Sequence, residues 1–208
     1  DPIQLFYDLQ RYNPYAKEGK KLLFYPAAKR ADRYSIPEGT ESIEVYGEPM
    51  FPSHISALSV PASLKAGLAE NAGLTGGIEV DYGSRAYASR SGVLFSKRDG
   101  KLLVYPAGKK EDFYMAPHGT MAIASGAFRG ASVSSVVLPS SLVHIEGEAF
   151  ASSAISNLVI PSSASDIDIR ALSGMDALTA VFVEPRSIGD IFLSGSSLGG
   201  VKRYVEYI

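Results

Sequence analysis

The chain has 208 residues, 46% hydrophobic and 20% charged, a balance that excludes both a disordered chain and a membrane-embedded one. Its formal net charge of −2 argues against a nucleic-acid partner, which usually requires a basic surface. The absence of cysteine excludes disulfides and thiolate metal sites.

No apolar run approaches the ~20 residues that a bilayer-spanning helix needs, so we expect no transmembrane segment in this chain. The sequence begins at Asp1 without an initiator methionine. We therefore expect a fragment or a processed chain whose export signal, if it has one, lies upstream.

The N-terminal part, residues 1–43, is an extended segment that recurs later in the chain. Residues 22–43 align with residues 102–123 at an offset of 80 positions. The sequence therefore predicts two copies of a module, each an extended segment followed by short repeats. Among the identities are Leu22/Leu102, Tyr25/Tyr105, Pro26/Pro106, Asp32/Asp112, Tyr34/Tyr114, Pro37/Pro117 and Gly39/Gly119.

Residues 44–81 form a first, weakly patterned repeat block, with Phe51, Ile55, Leu58 and Val60 in the expected order. Residues 82–121 are predicted to be a β-hairpin insertion. Within it, two apolar runs in residues 93–105 flank the turn-forming residues 97–100. Residues 18–21 are interpreted as the turn of a matching first hairpin.

Residues 122–208 form the second repeat block, in which a 22-residue unit is plain. Residues 122–143 align with residues 144–165, a longer third copy follows, and a degraded fourth copy is typical of a terminal cap. A unit this short cannot bury its own apolar face, so neighbouring units must stack. We expect the ring of each unit to be buried between units: Phe51, Phe128, Phe150 and Phe192.

The repeated unit, with Ala127-Phe128 followed by Val136-Val137-Leu138-Pro139, resembles the BspA-like leucine-rich repeats of bacterial surface proteins. The pattern and the resemblance together predict a β-rich α/β leucine-rich-repeat solenoid over residues 1–208. Short strands would occupy one face, turns and short helical segments the other, with the β-hairpin inserted. The resemblance implies an extracellular or cell-surface protein that mediates adhesion or recognition, and no catalytic residues or cofactor.

Three outward strand residues, Val137, Val159 and Phe182, are candidates for ligand binding. Side chains alternate along a strand, so Val136, Leu158 and Val181 should point into the core and these three outward, in a row across the stacked strands. Ser135 and Asn157 flank the row. Such a row indicates a binding surface, or only the strand preference of β-branched and aromatic residues; the sequence leaves both readings open.

The other motifs do not predict a catalytic or metal-binding site. Residues 195–199 match the G-x-S-x-G pattern around Ser196 and Ser197, but no histidine follows and the strand-to-helix context is missing, so we expect no catalytic nucleophile. Asp166 and Asp168 provide too few oxygen ligands for calcium. His118 and His144 take positions that are polar in other copies, so we predict no metal site.

Basic residues concentrate on the extended segments and the hairpin, and acidic residues on the C-terminal repeats. We interpret both as solvated surface, with the alternative that this polarity orients a partner. The basic set is Lys29, Arg30, Arg33, Lys97, Arg98, Lys101, Lys109 and Lys110.

The predicted function is recognition of a protein or glycan ligand through the solenoid face. The absence of tryptophan, whose ring commonly stacks on sugars, favours a protein. The alternatives are a structural protein that self-associates and, least favoured, a glycan-processing enzyme, which would need paired carboxylates across a cleft.

Overall fold

A computed structural model of the chain describes residues 21–22, 31–44, 55–68, 76–183, 187 and 202–204. These residues form sixteen short strands in four sheets. No helix occurs among them, and hence none that could cross a membrane.

The strands between residues 87 and 204, which we call the second block from here on, form two sheets, and their strands come from successive coils. The first has five parallel strands in chain order: β9 Phe113–Met115, β11 Ser135–Val137, β13 Asn157–Ile160, β15 Ala180–Val183 and β16 Lys202–Tyr204. The second has six: β6 Tyr87–Arg90, β7 Val93–Ser96, β8 Lys101–Val104, β10 Ala122–Ile123, β12 His144–Ile145 and β14 Asp166–Ile167.

The strands between residues 21 and 80, which we call the first block from here on, have the same arrangement in shorter form. Three parallel strands make one sheet, β2 Arg33–Ser35, β4 Ala57–Val60 and β5 Gly77–Val80. Two make the other, β1 Lys21–Leu22 and β3 Ser42–Ile43.

The 80-residue repeat seen in the sequence is also a repeat of strand register. Lys21 pairs with Ser42 in the first block as Lys101 pairs with Ala122 in the second. A side-chain detail recurs as well. The buried Thr40 hydroxyl donates a hydrogen bond to the Pro37 carbonyl, and the Thr120 hydroxyl donates one to the Pro117 carbonyl, both at 2.8 Å.

The core of the second block contains a column of aromatic rings from three successive coils. Tyr105, Phe128 and Phe150 stack with centroid separations of 5.1 Å at each step, and Tyr114 meets Tyr105 edge-on at 4.9 Å. Both phenylalanines are fully buried, as predicted. Burial raises the pKa of both tyrosines, so their phenols stay neutral within the core. Phe51 and Phe192 lie outside the described residues.

Turns occupy the positions where short helical segments were expected. Gly130, Ser152 and Gly174 stand at equivalent points of three coils with φ of 68°, 55° and 70°. A residue in this left-handed region ends a right-handed helix, so the chain makes tight turns instead. Backbone hydrogen bonds join these turns from coil to coil, for example from the Phe128 amide to the Ala149 carbonyl at 2.8 Å.

The predicted hairpin is present and is part of a three-stranded antiparallel meander, β6–β7–β8. Its middle strand is buried on both faces. Val93 and Phe95 pack into the core of the second block, whereas Leu94 packs into the core of the first. The meander is therefore a wall shared by the two cores. Of the predicted first turn at 18–21, only Lys21 lies within the described residues.

We expect Phe150→Ala to lower the free energy of unfolding by ~3–5 kcal/mol, because it removes the fully buried ring at one end of the aromatic column, where coils on both sides limit collapse. Phe113→Ala is the matched control. Its ring is 53% exposed on the sheet, so its loss should stay within about 1 kcal/mol. Chemical denaturation of both variants measures the difference; equal losses would contradict the assigned coil register.

Candidate functional site

The outer face of the five-stranded sheet carries an apolar row. Val137 pairs with Val159, and Val159 with Phe182, in the register of β11, β13 and β15. All three side chains are partly exposed. Their chain neighbours on the inner face are fully buried: Val136, Leu158 and Val181, each at 0% exposure. The alternation expected from the sequence is thus the one observed.

The row extends one strand further than the sequence analysis placed it. Met115, on β9, pairs with Val137 and is 61% exposed. Phe113, two residues earlier on the same outer face, is 53% exposed. We define the apolar row as Met115, Val137, Val159 and Phe182, with Phe113 beside it.

A second, more polar line runs next to the apolar row. Phe113 pairs with Ser135, Ser135 with Asn157, and Asn157 with the buried Ala180. The Asn157 amide donates hydrogen bonds to the Ser156 hydroxyl at 3.1 Å and the Ser135 hydroxyl at 3.4 Å. Ser135 and Asn157 are therefore held against the sheet and leave the apolar row accessible.

The corresponding face of the first block is polar or small. On β2, β4 and β5 the outer positions equivalent to the apolar row are Ser35, Ser59 and Glu79, all exposed. The same strand geometry therefore tolerates hydrophilic side chains. Strand propensity alone does not account for the row on the second block.

The six-stranded sheet has an ionic outer face. The Lys101 ammonium lies 2.6 Å from a Glu146 carboxylate oxygen, and His144 Nδ1 lies 2.8 Å from Asp166 Oδ2. Burial favours the neutral form of Glu146. The hydrogen bonds from Lys101 and from the Ser125 amide outweigh that effect, so the pKa of Glu146 lies below its usual value.

The remaining candidates do not form a reactive site in the described part of the chain. Asp168 accepts a hydrogen bond from the Arg170 amide at 2.7 Å, and His118 is exposed. Among described residues no three His, Cys, Asp or Glu side chains group to hold a metal. Ser196 and Ser197 lie outside those residues.

Parallel short strands stacked coil on coil, with a large buried apolar side chain such as Phe128, Phe150 or Leu172 at the same position of successive coils, define a leucine-rich-repeat solenoid. Residues 112–202 match the family described as "BspA type Leucine rich repeat region", in six copies. The repeats of this region are therefore of the BspA type, as their sequence predicted.

Solved structures share the fold. A leucine-rich repeat protein from Eubacterium ventriosum ATCC 27560 superposes with a TM-score of 0.62 at 20% identity, over 74% of this chain and 42% of that one. The pneumococcal vaccine antigen PcpA superposes with a TM-score of 0.52 at 18% identity, over 85% of this chain and 68% of that one. This chain therefore spans less than half of the E. ventriosum protein. No curated protein matches it in sequence.

We expect Glu146→Gln to lower the free energy of unfolding at neutral pH, with a deficit that shrinks as the pH falls below about 4.5, the ordinary value for this side chain. A carboxylate whose pKa is depressed by folding stabilises the protein above its unfolded pKa, and this contribution is lost as it becomes protonated. Urea titrations across a pH series measure the deficit. Glu38→Gln, at an exposed turn, controls for the change in net charge; a deficit of Glu146→Gln that is constant with pH would contradict the assignment.

Proposed function

We propose that this chain is a non-catalytic recognition module, secreted or held at the bacterial cell surface, that binds a protein ligand through the apolar row. The observation that carries the proposal is the contrast between the two blocks. Equivalent strand positions are hydrophilic on the first sheet and apolar on the second, where Met115 is 61% exposed. The BspA-type repeats, which resemble those of bacterial surface proteins, support the location.

The row has the size of a protein-binding anchor. Its four side chains lie on adjacent strands spaced ~4.8 Å apart, so the row spans about 14 Å. Half-exposed Met and Phe side chains gain stabilisation when a partner removes their remaining apolar area from water. Because the strands beneath are fixed by the core, little ordering cost opposes binding.

A protein ligand is favoured over a glycan by the side chains present. Three of the row's four side chains, Met115, Val137 and Val159, are aliphatic, and rings are present only at Phe182 and the neighbouring Phe113. A second copy of the chain is the other apolar partner available, through the same row. Both alternatives are outcomes of the test below.

We expect Met115→Ser/Val137→Ser to weaken binding to the ligand by about tenfold or more, the usual cost of losing a central apolar anchor. The ligand is sought on arrays of extracellular matrix proteins and of glycans, and the affinity is then measured by surface plasmon resonance. Loss of folding stability should be about 1–2 kcal/mol, because both side chains are already partly exposed.

Met121→Ser/Val143→Ser is the matched control. These residues are 45% and 40% exposed and adjacent on neighbouring coils, where the Val143 amide donates to the Met121 carbonyl, but they lie beside the six-stranded sheet. The control should bind normally. Binding to glycans alone, or equal loss in both double variants, would contradict the proposal. Self-association detected by sedimentation and abolished only by the row variant would instead assign the row to assembly.

A further inference from the structure

A groove lies where the two repeat blocks meet. Its lining comes from residues 62–67, from the loop at residues 83–87 and from the hairpin residues 96–103. Its volume is about 910 Å³, at the upper end of the range of ~300–1,000 Å³ typical of ligand sites.

The groove follows from the way the parallel ladder ends. On one side β8 pairs in parallel with β10, and on the other it pairs antiparallel with β7. The meander thus takes the place of a further parallel coil. Residues 62–67 of the first block and the loop at residues 83–87 line the groove together with the hairpin at this junction.

The lining is basic although the chain as a whole is not. Four basic side chains, Lys65, Arg85, Arg98 and Lys101, line the groove together with a single acidic one, Asp99. The chain carries a formal net charge of −2. The positive potential in the groove is therefore local, and it attracts an anion to this place rather than to the surface in general.

The two arginines are the groups left to bind a ligand. The Lys65 ammonium is 2.8 Å from Glu41, and that of Lys101 is 2.6 Å from Glu146, so both are neutralised within the chain. Arg85 and Arg98 are exposed, and in the part of the chain that the structure describes neither forms an ion pair. A guanidinium presents paired N–H donors that match a carboxylate.

The apolar part of the lining indicates which kind of anion fits. Ala62, Ala86 and Leu103 provide aliphatic surface beside the guanidiniums. Tyr87 lines the groove, but its ring is only 7% exposed and presents no platform for a sugar. Tyr82, next to the lining residue Gly83, is 97% exposed, and exposed tyrosine is typical of protein interfaces.

We propose that this groove is a second recognition site, distinct from the apolar row, that binds an acidic polypeptide segment through Arg85 and Arg98. The carboxylates of the segment pair with the two guanidiniums, and its aliphatic side chains rest on the small apolar lining. This site goes beyond the proposed function of the sheet face and does not depend on it.

The test uses a fluorescein-labelled decaglutamate peptide and fluorescence anisotropy with the full chain. We expect saturable binding that weakens as salt is raised, and an affinity reduced about tenfold or more in Arg85→Gln/Arg98→Gln, since each substitution removes charged hydrogen bonds. Arg33→Gln removes one positive charge from an exposed position on the first sheet and is the control for each single arginine variant, so its affinity should stay within about twofold of the unmodified chain.

Three results would overturn the site: no saturable binding of decaglutamate, equal binding by the double arginine variant, or binding of heparin in place of the peptide with the same dependence on Arg85 and Arg98. Thermal melting of the double variant verifies the fold, and each single variant is measured if the double melts lower. Met115→Ser/Val137→Ser should bind decaglutamate normally, so failure of one site is distinguishable from failure of the other.

Discussion

The structure depends on the match between two spacings. Parallel strands of successive coils lie ~4.8 Å apart, and the rings of Tyr105, Phe128 and Phe150 stack at 5.1 Å. Because aromatic stacking and the backbone ladder require nearly the same repeat, these three successive coils place ring over ring without bending the sheet, and the next coil has the buried Leu172 at this position. A 22-residue unit with one ring cannot form a core alone. The stabilisation of the fold therefore comes mainly from contacts between coils, which are the aromatic column and the hydrogen bonds that join the turns.

This arrangement separates stability from recognition along every strand. The inner residue of a strand is constrained by the coils on both sides, as the complete burial of Val136 and Leu158 shows. The outer residue meets only its cross-strand neighbours, which contribute about 0.2–1 kcal/mol. The outer face can consequently change without loss of the fold, and the two blocks illustrate it: Ser35 and Met115 occupy equivalent outer positions on strands of the same register.

The periodicity of the sequence predicted the features that repeat with each coil, namely which side chains are buried and which point outward. The burial of Phe128 and Phe150 and the outward row from Val137 to Phe182 follow from spacing and strand alternation alone. Met115 was missed because it belongs to the extended segment, which aligns with polar residues 33–35 and not with the 22-residue unit. The predicted helical segments are not confirmed: the described residues form turns there, and Ser152 adopts a left-handed conformation that its residue type does not predict. The basic groove was not predictable, since residues 62–67 and 96–103 meet only through the path of the meander.

The meander also explains why two blocks with different outer faces remain one folding unit. Repeat proteins are stabilised chiefly between nearest neighbours, so an interruption of the parallel ladder should uncouple the coils on its two sides. Here the third strand of the meander contacts both cores: Leu102 packs into the core of the second block, Val104 into that of the first, and Leu103 against both. The meander covers the end of each hydrophobic core at the junction of the two blocks. The insertion that ends the ladder and opens the groove is thus the element that couples the two cores, and the groove lies on a shared wall whose position both cores fix.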